Sequence, residues 1–341
     1  MRRKEHDLRQ LTTLGERLVL DATSPDVGMR IDAFLAQRMP WRTRTSIQRL
    51  IRDGKVALLD HRPVKAARKI LAGDVVQVLL PKPKRDVEMM GRDQQLEVLF
   101  EDAYLIAINK PAGVPVHPSG RLLHHTIITT LHQRFRNHQD PERDIVPKLC
   151  HRLDLETSGV LLIGKDEQVH AEVSRQFQQR ETRKIYLAIV HGEMVPDTGL
   201  IDLPIGMANN SPIKKKRAVC GEGGQPARTR FAVERRLNGF SLVRLELLTG
   251  RHHQLRVHLS AIGHPIVGDK MYGLDEDFFL KYYQGALTEE HQRALLLPRQ
   301  ALHAHQLTFR HPVLQRSITI EAPLGDDLAT FLEQHLGSRP A

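Results

Sequence analysis

The chain has 341 residues, enough for a sizeable core and, on domain-size grounds, for two or three domains. An apolar share of 40% without any run near the ~18–20 residues of a membrane-spanning helix, and a charged start without the apolar stretch of a secretory signal, argue against a membrane-embedded or exported class. All of the net charge of +10 lies in residues 1–85, which hold 19 Lys/Arg against 9 Asp/Glu and leave 31 of each for the rest.

Residues 1–27 read as a charged extension, to which no role is assigned. From Gly28 the pattern becomes regular. Ile31, Phe34 and Leu35 recur at helical spacing, and Ser46, Ile47, Leu50 and Ile51 predict a second helix that ends before Gly54. Short strands follow at 55–58 and 75–79, the second preceded by a turn at Ala72-Gly73-Asp74. Arg42, Arg44, Arg49 and Arg52 stud the second helix, with Lys65, Arg68 and Lys69 downstream. Such a concentration of positive charge is the footprint of a polyanion-binding module, or else a solvated surface. Residues 28–80 thus form one small basic α+β unit, and the Pro-rich, polar stretch 81–94 reads as a linker.

A second domain is expected over 95–335. Strands are predicted at 96–100, 104–109, 160–163, 184–190, 242–248, 302–309 and 318–320, and helices at 167–179, 252–262 and 326–335. They do not alternate as in a doubly wound fold, and no GxGxxG turn is present. An α+β domain on a largely antiparallel sheet with flanking helices is the expectation. Cys150 and Cys220 form no C-x-x-C pair, which excludes a cysteine-based zinc knuckle and a disulfide scaffold and fits a reducing, cytoplasmic setting.

One string stands out: His151-Arg-Leu-Asp154-Leu-Glu-Thr157-Ser-Gly159, just before an apolar strand. Read from residue types alone, Asp154 caps a turn by accepting backbone N–H groups. The whole string, however, resembles the signature of the RluA family of pseudouridine synthases. Four further segments resemble that family in the same order: the Asn109–Pro118 loop, Arg183-Lys-Ile-Tyr186, the run from Thr249 through Arg256 and His258 to Gly273, and Leu302-His-Ala304 with Phe309 and His311-Pro312. His252 departs from the pattern, where the family more often carries Thr or Ser. The basic unit resembles the small RNA-binding module of ribosomal protein S-four through RIDAFL, TRTSIQRLIRDGKV and KAARKILAGDVVQV, departing from it at Leu59-Asp60-His61.

The resemblance implies an RNA pseudouridine synthase, with Asp154 as the catalytic carboxylate, Arg256 as its partner and Tyr186 as the aromatic that stacks on the uracil and serves in removing its C5 proton. Arg152 fits the place a flipped nucleotide vacates and equally a phosphate or an acidic neighbour, and Arg42, Arg44, Arg49, Arg52, Lys65 and Lys69 are assigned to the RNA backbone. These assignments make chemical sense. Cleaving the C1′–N1 bond develops positive charge on the ribose, which a carboxylate can stabilise or trap, and a guanidinium offsets the cost of keeping that carboxylate ionised away from water. A base must also leave its stack before it can be worked on. Structured RNA is the expected partner, ribosomal RNA before transfer RNA. No membrane partner, organic cofactor or metal is expected, and nothing calls for more than a monomer. The histidines His252, His253, His258, His264, His303 and His305 lack HExxH or cysteine company and read mostly as core, cap or RNA-contacting groups. Two rivals remain at this level: a non-catalytic RNA-binding or ribosome-assembly factor, and a metal-dependent RNA hydrolase.

Overall fold

The computed structural model describes residues 16–39, 44–59, 64–80, 96–118, 126–135 and 145–336. Residues 1–15, Arg42 and the expected linker at 81–94 lie outside them. The chain forms two compact units, one containing residues 16–80 and the other residues 96–116 and 145–336.

In the first unit, strand β1 (Glu16–Asp21) precedes helices α1 (Ile31–Arg38) and α2 (Arg44–Arg52), and strands β2 (Val56–Leu58) and β3 (Val75–Leu80) follow. The sheet is antiparallel in the order β1-β3-β2. Ile31, Phe34 and Leu35 of α1 and Ile47, Leu50 and Ile51 of α2 close over Val76 and Val78, as their helical spacing requires. β1 falls in what the sequence presents as an extension. Its partner lies more than fifty residues downstream, with Leu20 opposite Val76, so the pairing leaves no local signal.

The second unit begins with β4 (Glu97–Glu101) and β5 (Leu105–Lys110); next in the chain comes α3 (Ile127–Phe135), whose residues are divided between the two units, and then β6 (Lys148–Leu149), β7 (Ser158–Gly164) and α4 (Glu167–Gln179). Next come β8 (Arg183–His191), β9 (Thr198–Asp202), β10 (Ile205–Met207), β11 (Arg217–Val219), β12 (Arg228–Leu237) and β13 (Phe240–Leu247). Helices α5 (Gln254–Ala261), α6 (Glu276–Gln284) and α7 (Glu289–Leu295) lead to β14 (Leu302–Arg310), β15 (Ser317–Glu321) and α8 (Asp326–Gln334). One large sheet runs β4-β5-β7-β14-β8-β13-β12-β9, with β15 on β14 and β6 on β7. Among the described residues only β7 and β14 pair in parallel, so the sheet is mixed and largely antiparallel, as expected. Strands β9 to β12 and helices α3, α6 and α7 were not foreseen. β12 had its signal, with Thr229 and Phe231 buried between exposed Arg228 and Arg230, but its many charges hide the alternation.

β7 is buried along its whole length, which explains an apolar run without alternation. α4 packs Val169 and Val173 against it from a start capped by Asp166, whose carboxylate accepts the Val169 N–H. α8 lays Leu328, Phe331 and Leu332 over the β8 and β13 half of the sheet. The register matters most where β7 begins. Ser158 and Gly159 lie opposite His303 and Ala304 of β14, and Ala304 lies opposite Tyr186 of β8. The start of β7 is thereby brought within two strands of the middle of β8.

That junction requires a glycine. Gly159 has φ +108°, and a Cβ there would lie 2.2 Å from the Ala304 carbonyl oxygen. Backbone strain and overlap with main chain each cost about 1–3 kcal/mol. Gly159→Ala should destabilise the protein by more than about 3 kcal/mol, lowering Tm by roughly 6–12 °C. A Tm within about 2 °C of the unsubstituted protein would contradict this reading of the β7/β14 contact.

Candidate active site

The residues before β7 form a loop held from several sides. His151 stacks on Phe177 of α4 and accepts the Leu162 N–H through Nε2. The Leu155 carbonyl accepts both the Gly113 N–H and the ammonium of fully buried Lys110. The Glu156 carboxylate takes the Lys270 ammonium at 2.6 Å and the Tyr282 hydroxyl at 3.3 Å. Thr157 Oγ1 accepts from the Gln300 side chain at 2.6 Å, and Ser158 Oγ meets His303 Nδ1 at 2.9 Å. Anchors on 155, 156, 157 and 158 leave Asp154 at a fixed place on the loop. It does cap a turn, but with its backbone oxygen, which accepts the Thr157 N–H. Its carboxylate is used elsewhere.

That carboxylate, 30% exposed, accepts a hydrogen bond from Arg256 Nη1 at 3.1 Å. Arg256 lies in the first turn of α5, whose entry is fixed by Gln254. The Gln254 amide bridges Thr249 Oγ1, the Arg251 N–H and Thr229 Oγ1. The guanidinium is buried, and its other edge grips Asp269 bidentately at 2.6 and 2.9 Å. Burial alone would oppose the charge on Arg256, but Asp269, and then Asp154, more than restore it. Asp269 is itself fully buried, which pushes its pKa up. Arg256 and the N–H groups of Met271 and Tyr272 outweigh that and hold it below the ordinary carboxylate range. Sequence reasoning quoted the segment that carries Asp269 but passed over the residue. Its signal was an acid among Gly, Pro, Ile and Val, where burial demands a cation.

A second neighbour was also missed. His253, in the left-handed region at φ 58°, caps α5 and points Nε2 toward Asp154 Oδ2 at 3.8 Å, beyond hydrogen-bond range. Its Nδ1 lies 2.8 Å from the Tyr272 hydroxyl, which also accepts the Arg217 backbone N–H at 2.9 Å. Burial pushes the Tyr272 hydroxyl up to about 12, so it keeps its proton and needs an acceptor. Nδ1 is the acceptor in reach. The opposite assignment strands a buried phenol proton, at about 1–3 kcal/mol. Satisfying the network therefore puts the imidazole proton on Nε2. Burial, then the Arg256 charge, hold the ring's pKa down to about 3, so it is neutral.

Comparison with known proteins fits this geometry. The family model described as RNA pseudouridylate synthase matches residues 104–261, and the S4 domain model matches residues 29–76. The ribosomal large subunit pseudouridine synthase D of Nitrosomonas europaea is 36% identical over 92% of this chain and 87% of its own length. The chain belongs to the RluA family of RNA pseudouridine synthases. An uncharacterized RNA pseudouridine synthase of Bacillus subtilis is 32% identical over 92% of this chain and 96% of its own. Among solved structures, human RNA pseudouridylate synthase domain containing 4 superposes with a TM-score of 0.54 at 30% identity, covering 70% of this chain and 92% of that one. The protein is thus an isomerase that converts uridine in RNA to pseudouridine, and the reading as a non-catalytic factor is not favoured.

The other expected site residues are distributed as follows. Tyr186, half-buried on β8, has its hydroxyl pushed well above the usual tyrosine range by burial and then by the charge of Asp154, which places it within electrostatic reach of that carboxylate. Arg152 is exposed and has no ion-pair partner among the described residues. In the synthase's first unit Arg44 is paired. With Arg30 and Gln48 it surrounds the buried Asp32 carboxylate, whose pKa burial would raise but these hydrogen bonds lower. Arg49, Arg52, Lys65 and Lys69 are exposed and make no ion pair among the described residues. His258 and His303 are core groups, hydrogen-bonded at both nitrogens. Asp154, His252 and His253 offer ligand atoms within 4.8 Å of one another, but Arg256 already holds Asp154 Oδ2, and Arg152 and Arg217 add positive charge around His252.

Three buried imidazoles set an acid limit on the fold. Burial holds His151 and His253 down to about 3 and His303 to about 4. In the unfolded chain each takes up a proton near pH 6.5, in the folded chain only some three pH units lower. Their stabilisation is complete above pH 6.5 and is lost as pH falls, at about 1.4 kcal/mol per pH unit for each ring. Thermal melts should show Tm falling by about 10 °C or more between pH 7 and pH 5. A constant Tm across that range would contradict the neutral, buried state of these rings.

Proposed function

We propose that Asp154 is the catalytic carboxylate of this synthase, paired with Arg256, and that Tyr186 is the aromatic against the target uracil. The observation that carries this is the 3.1 Å contact between Arg256 and a carboxylate that remains partly open to solvent. A charge-paired acid that is still reachable can meet a ribose carbon as the C1′–N1 bond breaks, by electrostatic stabilisation or covalent capture. Attack at C6 of the uracil is the other route open to the same group. In either case the C1′–N1 bond is replaced by a C1′–C5 bond, N1 gains a proton and C5 loses one. Tyr186 stays protonated, so its part in removing the C5 proton is that of a relay, beside a stacking contribution of about 1–3 kcal/mol. The reaction so drawn draws on no metal or organic cofactor.

Residues 28–80 serve to bind RNA and residues 95–335 to modify it, in a monomer working in the cytoplasm. Ribosomal RNA is our first choice of target and transfer RNA our second. The choice is supported by the S4 domain match and by the ribosomal large subunit named in the Nitrosomonas relative. Comparing pseudouridine maps of total RNA with and without the protein names the position. On that RNA, Asp154→Asn should reduce release of the C5 hydrogen by about 10³-fold or more while binding persists. Undiminished turnover would end the assignment.

The four exposed basic residues of the first unit carry a separate expectation. Replacing Arg49, Arg52, Lys65 and Lys69 with Gln in the full chain should weaken RNA binding. It should also flatten the salt dependence of binding by about 0.7–0.9 in log–log slope for each phosphate that the variant no longer neutralises. An unchanged slope would mark this face as solubilising only.

A further inference from the structure

We propose that His253 is a further catalytic residue, whose Nε2–H donates to the O2 carbonyl oxygen of the target uracil as the glycosidic bond breaks. The inference rests on the assignment of Asp154 made above. Its starting point is a donor without an acceptor. Nε2 carries the ring's proton because Nδ1 is occupied by the Tyr272 hydroxyl, which the Arg217 N–H fixes in turn. Asp154 Oδ2 is 3.8 Å away, beyond hydrogen-bond range, and already bonded to Arg256. The side chain is 9% exposed, yet among the described residues only Thr182 Oγ1 is a fully covered side-chain polar atom with no hydrogen-bond partner. Nε2 is therefore open to whatever enters beside Asp154, and an oxygen placed there meets a donor aimed in advance.

The charge flow of the reaction says which oxygen that is. As C1′–N1 breaks, the bonding pair goes to the uracil, and its negative charge spreads over N1 and the two carbonyl oxygens. O2 is the carbonyl oxygen closest to the breaking bond. A carboxylate on the positive sugar carbon and a neutral N–H on O2 then bracket that bond, each facing the charge that develops on its own side. The proton stays on the imidazole; the hydrogen bond tightens and no atom changes hands. A neutral donor suits this task, since a protonated ring would form an ion pair with Asp154 instead. The ring symmetry of uracil extends the role. Turning the freed base about its N3–C6 axis, which brings C5 to the place N1 held, also brings O4 to the place O2 held. One fixed donor serves both the bond that breaks and the bond that forms.

Tyr272 is then a positioning residue. It selects the tautomer while its ring lies under the Arg256 guanidinium, 5.0 Å from the centroid.

The test uses the full-length protein and the RNA fragment found by mapping, prepared with uridine, 2-thiouridine or 2′-deoxyuridine at the target position. Sulfur at position 2 is a poor acceptor, so the unsubstituted enzyme should be slowed about 10-fold or more on 2-thiouridine. His253→Ala should lower kcat on uridine by about 10²–10³-fold, with KM within about threefold, and should be indifferent to the thio substitution. His253→Gln, which keeps an amide N–H, should recover part of the rate and part of the thio effect. Tyr272→Phe should fall between the two. The proposal is overturned if His253→Ala and His253→Gln both turn over at the unsubstituted rate, or if His253→Ala keeps the full thio effect. Loss of sensitivity to 2′-deoxyuridine in place of 2-thiouridine would move the donor to the sugar and overturn it as well. Activity in Asp154→Asn is a different result: it removes the assignment beneath the proposal, whereas the thio comparison reads His253 alone.

Discussion

A single buried guanidinium holds the candidate active site of this synthase together. Arg256 makes two hydrogen bonds to Asp269, whose carboxylate is buried among backbone N–H groups, and turns its remaining nitrogen to Asp154. A pair of this kind owes its place to mutual dependence, since taking either charge from water is costly and losing one partner leaves the other uncompensated. The consequence is directional rigidity. The bidentate grip fixes the plane of the guanidinium, so the third nitrogen can only point one way, toward the loop that carries Asp154. Asp154 is thereby paired with a cation without being enclosed, as the role proposed for it requires.

Around that charge pair the fold supplies position. The loop residues after Asp154 are tied one by one to β5, α6 and the segment before β14 through Lys110, Tyr282 and Gln300. Tyr186 comes from β8 across Ala304, and His253 from the cap of α5. Elements far apart in sequence each contribute one group, as a site built on a scaffold rather than on one flexible loop must.

Much of this was legible in the sequence, and the failures share a cause. Regular helices announced themselves: α4 was expected at 167–179 and occupies those residues, because Val169 and Val173 keep one face apolar. The string around Asp154 and the run around Arg256 named the two charges that meet. Patterns that depend on a distant partner could not be read. β1 needs β3, and the charged strand β12 needs β13 beside it before its alternation acquires meaning. Asp269 left a signal as an acid among apolar residues, but what it grips, like the contact of Tyr272 with His253, exists only once distant segments meet. Arg44 shows the same limit from the other side. Nothing in the basic run of α2 announces the buried Asp32, twelve positions earlier, with which its guanidinium pairs.

The insertion of β14 between β7 and β8 bears on how such a protein comes into being. β7 and β8 are complete by residue 191, yet they do not touch; the strand that joins them starts at Leu302, after everything from β9 to α7 has been made. A chain emerging from a ribosome must therefore keep two apolar strand edges unsatisfied while more than a hundred further residues are added. The large sheet cannot be continuous until that strand is made, whereas the small N-terminal sheet has all three of its strands by residue 80.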